Sequence, residues 1–208
     1  WFFNGSENIG DLDCGIWDEW ADTDGRVHDI YGKNWVNMED TRLIPTEDIP
    51  AITRCLRAGM VKVPLVKEPV IDGVEVSVYT RRINQVKNAL ALLKDNPLSR
   101  RILISGWNPQ TADTSSPPAC HHTYQFLPQR GKMNMMLYMR SNDVFLGRPF
   151  NIMTGYLLMR IFSHFSGIEM GKMQIVSPEV HLYANHLEQA REYIRRFESG
   201  ELAAMDNK

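Results

Sequence analysis

The stretch PPACHHTYQFLPQRGKMNMMLYMRSND, residues 117–143, decides how this chain is read. Two runs, Thr123 to Leu127 and Lys132 to Arg140, flank Gln129-Arg130-Gly131. Apolar runs bounded by a Gly-containing turn predict a pair of strands. Just before the first strand, Cys120 follows Pro117-Pro118, whose rings fix φ and stiffen the approach to it. Arg140 and Ser141 end the second strand and offer a fork of donors plus a hydroxyl, a set suited to a phosphate. A thiol is a useful nucleophile only as thiolate, which a neighbouring Arg or protonated His favours. Taken alone, Cys120 reads more readily as a buried, inert Cys.

Outward from this pair, the periodicity describes an α+β fold. Arg101 to Trp107 reads as a buried strand and Met173 to Val176 as a short one. Asn151 to Phe165 is apolar nearly all round, the pattern of a buried central helix. Ile83, Val86, Leu90 and Leu93 fall at helical spacing ahead of Asn96-Pro97, and Tyr183, Leu187, Ala190, Ile194 and Phe197 line one face of a last helix. The expectation is one domain over 1–208, with a largely antiparallel sheet, a central helix and helices packed on the sheet. Residues 36–80 carry little periodicity and several prolines, and read as a surface insertion with a hairpin turn at Ile71-Asp72-Gly73-Val74.

Bulk properties exclude more than they assign. A net charge of −2 over 208 residues gives no global footprint for nucleic acid or an anionic membrane, so an anion site has to be local. Three widely spaced cysteines make no disulfide framework and suit a reducing compartment. No apolar run has transmembrane length, and the expected location is the cytoplasm, or a host's cytoplasm for a viral protein. The chain opens at full hydrophobic density without Met, at Trp1-Phe2-Phe3, and reads as a fragment or an ordered portion of a longer protein.

Further residues support a polar ligand. Arg100 and Arg101 form a second cationic group at a helix-to-strand junction. Asn151 is either an N-cap or a carboxamide that presents an acceptor and two donors to a planar heterocycle. His181 and Tyr183 can donate to a sugar hydroxyl. The His spacings follow no zinc pattern, so no metal is expected, and no Gly-rich phosphate loop is present.

Read in order, Ile16-Trp17-Asp18-Glu19-Trp20, Tyr31-Gly32-Lys33-Asn34-Trp35, Ser99-Arg100-Arg101, Cys120-His121 with Gln125-Phe126, Arg140 through Gly147, Pro149-Phe150-Asn151-Ile152 and His181 through His186 resemble the thymidylate synthase family. The resemblance implies a sheet-mediated homodimer that moves a one-carbon unit from 5,10-methylenetetrahydrofolate to C5 of dUMP. By the same resemblance Cys120 is the nucleophile toward C6, and Tyr31 serves removal of the C5 proton. Arg140 and Ser141 are phosphate ligands, joined by Arg100 and Arg101 across the dimer interface. Asn151 reads the base, Gln125 belongs to the substrate site, and His181 and Tyr183 meet the 3′-hydroxyl. Ile16, Trp17, Trp20, Asp143, Gly147 and Phe150 form the folate pocket.

The chain also departs from that pattern. Ala119 stands where Pro precedes the Cys, Val27-His28-Asp29-Ile30 replaces Leu-Gly-Pro-Val, Met139 replaces Gln, and Asn84 replaces Asp. These changes touch the folate and water-organising side more than the nucleotide side. They keep open a dUMP hydroxymethylase of the kind some phages use, in which water instead of hydride captures the exocyclic methylene. A third reading, a non-catalytic dimer that binds nucleotide or RNA, conflicts with retention of Cys120, Tyr31 and the Arg residues. Dihydrofolate and dTMP are the expected products.

Overall fold

The strand pair expected around residue 130 is present, its first strand longer than the sequence indicates and its second one residue shorter. The computed structural model describes residues 4–12, 14–15 and 17–202. In chain order the first elements are α1 (Tyr31–Asn37), β1 (Met38–Pro45), α2 (Ile49–Arg57), β2 (Val61–Lys62), β3 (Val70–Ile71), β4 (Val74–Ile83), α3 (Gln85–Asp95) and β5 (Leu103–Ser105). They are followed by β6 (His121–Gln129), β7 (Lys132–Met139), β8 (Asn142–Asp143), α4 (Gly147–Ser166), β9 (Glu169–Val176), β10 (Val180–His181) and α5 (Leu187–Glu198). The described residues fall into two compact units, one within 1–91 and 104–119, the other within 92–103 and 120–208.

In the first unit, β4 is the central strand and takes β1, β2 and β3 as antiparallel neighbours. Asp72 and Gly73, at φ 51° and 80°, make the tight turn expected between β3 and β4. Asp48 starts α2 by accepting the Ala51 N–H at 2.9 Å, with Pro50 in the first turn. Cys55, Met60 and Tyr79 then form a small core with Ile44 and Ile52. The segment 36–80 is thus a sheet with its own helix. Its strands expose apolar side chains such as Leu43, Val61 and Val74, which blurs the alternation that would have marked them.

In the second unit, β6 pairs antiparallel with β7, and β7 pairs parallel with β9. Arg130 and Gly131, at φ 52° and 76°, supply the two-residue turn between β6 and β7. The α4 helix packs on this sheet: Phe162 stacks on Phe126 at 4.5 Å, and Gly155 lets the helix approach Met135 and Met173. This helix begins at Gly147, one turn before the expected Asn151, where Asp143 Oδ2 accepts the Gly147 N–H. Only one face is covered within this chain. Gly155, Leu158, Met159 and Phe162 are buried, whereas Met153, Tyr156, Leu157 and Phe165 are exposed, so the helix is less enclosed than its composition predicts.

Gly171 marks the tightest point of the β7–β9 pairing, beside the irregularity between Met133 and Met135. A Cβ there would lie 2.5 Å from Asn134 Oδ1 and 3.0 Å from the Met133 carbonyl oxygen. Asn134 is itself fixed, accepting the Lys172 N–H at 2.9 Å. Gly171→Ala should therefore lower the unfolding free energy by roughly 1–3 kcal/mol, measured by denaturant titration. An unchanged midpoint would show that β9 has slack at this position.

Candidate active site

A slip in register builds the first part of the site. The Arg140 N–H donates to the Cys120 carbonyl at 3.1 Å, which seats Cys120 opposite Arg140 where β6 and β7 meet. His121 stands across from Met139, but Thr123 stands across from Tyr138, so His122 is an extra residue in β6. In an unbroken strand, residues three apart face opposite sides. The bulge returns Tyr124 to the side that His121 already occupies, and both are buried.

His121 consequently has a hydrogen-bonding partner for each ring nitrogen. Its Nε2 meets Asn151 Oδ1 in a short hydrogen bond, and its Nδ1 lies 2.7 Å from the Tyr124 hydroxyl. Burial pushes the His121 pKa down to about 4, and the bond to Asn151 opposes that only in part. The ring is neutral at physiological pH. Of the two cations the sequence offers beside the thiol, Arg or protonated His, His121 is thereby removed.

The start of α4 collects the next group. Asp143 Oδ1 accepts from the Phe145 and Leu146 N–H groups, at 3.1 and 3.4 Å, and Oδ2 accepts from Gly147 at 3.0 Å. Oδ2 thus takes the first N–H of the helix, and Oδ1 fixes the turn that leads into it. A Cβ on Gly147 would sit 3.7 Å from both Asn151 Nδ2 and Asp143 Oδ2, so glycine keeps the space between these side chains open. Phe150, one residue before Asn151, is exposed.

A two-rung parallel pairing of β8 with β10 fastens residues 142–143 to residues 180–181. The Ser141 hydroxyl donates to Glu179 Oε2 at 3.0 Å, and His181 Nδ1–H reaches the same oxygen at 2.9 Å. That His181 contact, then Ser141, holds the Glu179 carboxyl below its ordinary value. The His181 and Tyr183 rings meet edge to face at 4.8 Å. Arg100 and Arg101 are exposed, and the Gln125 amide donates to the Arg100 carbonyl at 3.3 Å. In this unit, then, Cys120 joins Arg140, Asn151 joins His121, and Ser141 and His181 share Glu179.

Tyr31, Trp17 and Trp20 belong to the first unit; Ile16 lies outside the described residues. Tyr31 is buried at the start of α1, 6.5 Å from the Trp17 ring in an edge arrangement, and Trp20 is exposed. A buried and a half-buried amide, Asn34 and Gln85, hold α1 in place. Asn34 donates to the carbonyls of Asp29 and Gly106, while Gln85 donates to those of Asn34 and Ser105 and accepts the Ser105 N–H. Asn84, where the family pattern has Asp, accepts the Lys87 N–H at the start of α3. Among the described residues no cluster of His, Cys, Asp or Glu is arranged to hold a metal, and no helix is long and apolar enough to cross a membrane.

Sequence reasoning assigned no role to Tyr124 or Glu179. Glu179 carried a usable signal, since an acid two residues before a His on extended backbone shares its face. Tyr124 carried none, because its placement depends on the bulge.

The family whose model matches residues 1–207 is described as thymidylate synthase. Among solved structures, thermostable thymidylate synthase A from Bacillus subtilis is similar, with a TM-score of 0.63 and 25% sequence identity. The match covers 91% of this chain and 56% of that one, so this chain spans little more than half the length of the structure it resembles.

The buried neutral ring also has a pH signature. Above about pH 6.5 His121 is neutral folded or unfolded and adds no pH dependence. Between 6.5 and about 4 the unfolded chain takes a proton that the folded chain refuses, so stability falls as pH falls. The whole window corresponds to roughly 3 kcal/mol. Comparing denaturant unfolding of the wild type and His121→Gln from pH 7 to 4 should show the wild-type advantage shrinking on acidification. Parallel curves would contradict a buried neutral His121.

Proposed function

The chain belongs to the thymidylate synthase family, and we propose that it transfers a one-carbon unit from 5,10-methylenetetrahydrofolate to C5 of dUMP, giving dTMP and dihydrofolate. The observation that carries this reading is the seating of Cys120 beside Arg140, with the Asn151 carboxamide anchored on the neighbouring His121. In this reading the Cys120 thiolate forms a bond to C6, and the displaced electron pair passes through C5 toward O4. The C5 carbon becomes nucleophilic and takes the one-carbon unit; one hard step becomes several easier ones. Loss of the C5 proton, served by Tyr31, and departure of the tetrahydrofolate nitrogen from the one-carbon unit leave an exocyclic methylene, with Cys120 bound to C6 until the hydride step expels its thiolate. Hydride from tetrahydrofolate reduces that carbon to methyl and oxidises the carrier to dihydrofolate.

Arg140 and Ser141 grip the 5′-phosphate, with Arg100 and Arg101 of the partner subunit in a homodimer. Their exposure in the single chain is compatible with that sharing. The Ser141 hydroxyl has to exchange Glu179 for the phosphate, leaving Glu179 on His181. His181 then presents Nε2 to the 3′-hydroxyl beside Tyr183, because Glu179 holds its Nδ1–H, and Gln125 completes the nucleotide side. Asn151 donates to O4 and accepts from N3–H, a pattern matching uracil and opposed to cytosine. The reduced folate stacks on Trp17 and Trp20 with Ile16, Gly147 and Phe150. Asp143 contributes only while it also takes the first N–H of α4.

One feature favours a second reading, a dUMP hydroxymethylase. In the divergent loop at 27–30, Asp29 has a left-handed backbone (φ 55°) directly before Ile30-Tyr31 and is bound by Lys33 at 2.9 Å. A charged pair in this loop organises water differently from an apolar one, and water is the competitor of hydride.

Full-length protein incubated with dUMP and methylenetetrahydrofolate should yield dTMP and dihydrofolate by chromatography. Tetrahydrofolate with 5-hydroxymethyl-dUMP would establish the second reading instead, and no product would refute both. Asn151→Asp should shift kcat/KM toward dCMP by at least about tenfold, since the missing donor costs roughly 1–3 kcal/mol. Unaltered discrimination would remove Asn151 from base recognition.

A further inference from the structure

The bulge at His122 has one specific product, the contact of the Tyr124 hydroxyl with His121 Nδ1 at 2.7 Å. On the other side of the ring, Nε2 reaches Asn151 Oδ1. A carbonyl oxygen only accepts, so Nε2 carries the proton. The neutral ring then has an accepting Nδ1, which the Tyr124 O–H meets as donor. A phenol donates better than it accepts, because its oxygen lone pair is drawn into the ring. Tyr124 thereby favours one tautomer of His121, and that tautomer favours one orientation of Asn151.

Orientation is what separates two pyrimidines. A keto pyrimidine offers N3–H and O4, a donor and an acceptor. An amino pyrimidine reverses the pair, and the Asn151 carboxamide could satisfy it only by turning end over end. The turned carboxamide would set its N–H against Nε2–H of His121, leaving two buried donors face to face, an expensive arrangement. The hydroxyl is what a tyrosine adds to this contact. Its ring packs edge to face on His121 at 5.7 Å, which a phenylalanine can reproduce.

We propose that Tyr124 is a positioning residue for base selection: acting through His121, it fixes the Asn151 carboxamide in the orientation that accepts a keto pyrimidine nucleotide and rejects an amino one. This inference rests on the reading of Asn151 as the base-recognising side chain, and goes beyond it by naming what sets its orientation.

The test combines nitrogen NMR of His121 with competition binding of dUMP and dCMP, on full-length wild type and Tyr124→Phe. The wild type should show His121 protonated on Nε2. Tyr124→Phe should show mixed tautomers, and its preference for dUMP should fall roughly tenfold. Wild-type His121 protonated on Nδ1 would overturn the proposal, and that measurement needs no variant to fold. A dUMP preference that survives Tyr124→Phe would overturn the proposal alone. A wild type with no dUMP preference would overturn it together with the reading of Asn151.

Discussion

The hydrogen-bonded series Tyr124–His121–Asn151 is the constraint on which the Cys120 end of the candidate site depends. It joins the start of β6 to the first turns of α4 through a neutral ring in a buried place. Removing any member leaves a buried polar group without its partner, at about 1–3 kcal/mol per group. The same series sits one residue from Cys120, and the Cys120 carbonyl is tied to Arg140. Errors in strand register would therefore be felt at Cys120, Arg140 and Asn151 together.

The bulge explains how so short a stretch does this. A regular hairpin would send His121 and Tyr124 to opposite faces, one into the core and the other outward. One inserted residue, His122, gives both side chains to the core and leaves the rest of β6 correctly phased for Tyr124 and Phe126. Within each unit, backbone-directed polar side chains do the holding. Asp143 fixes the start of α4, and Asn34 and Gln85 fix α1, which carries Tyr31.

Much of this was legible in the sequence, for identifiable reasons. Gln129-Arg130-Gly131 announced the central hairpin, Asp72-Gly73 announced a smaller one, and the ordered motifs announced the family. The missed parts are those where local pattern and tertiary context diverge. Residues 36–80 form β1 to β4 and α2, yet their half-exposed strands mix apolar and polar residues without a clean period of two. The apolar run puts the start of α4 at Asn151, whereas the helix begins at Gly147, whose N–H goes to the Asp143 carboxylate four residues upstream. The partners of His121 were invisible because a bulge leaves no mark in side-chain periodicity. Glu179 does leave a mark in the sequence, two residues before His181 and on the same face of extended backbone.

The central claim is that Cys120 adds to C6 of a uracil nucleotide and thereby activates C5. It is tested most directly with dUMP carrying deuterium at C5, following loss of the label to water by mass spectrometry in the presence of the reduced folate. The account predicts loss by the wild-type protein and full retention by Cys120→Ser. Retention by the wild type, or equal loss by the two proteins, would contradict it.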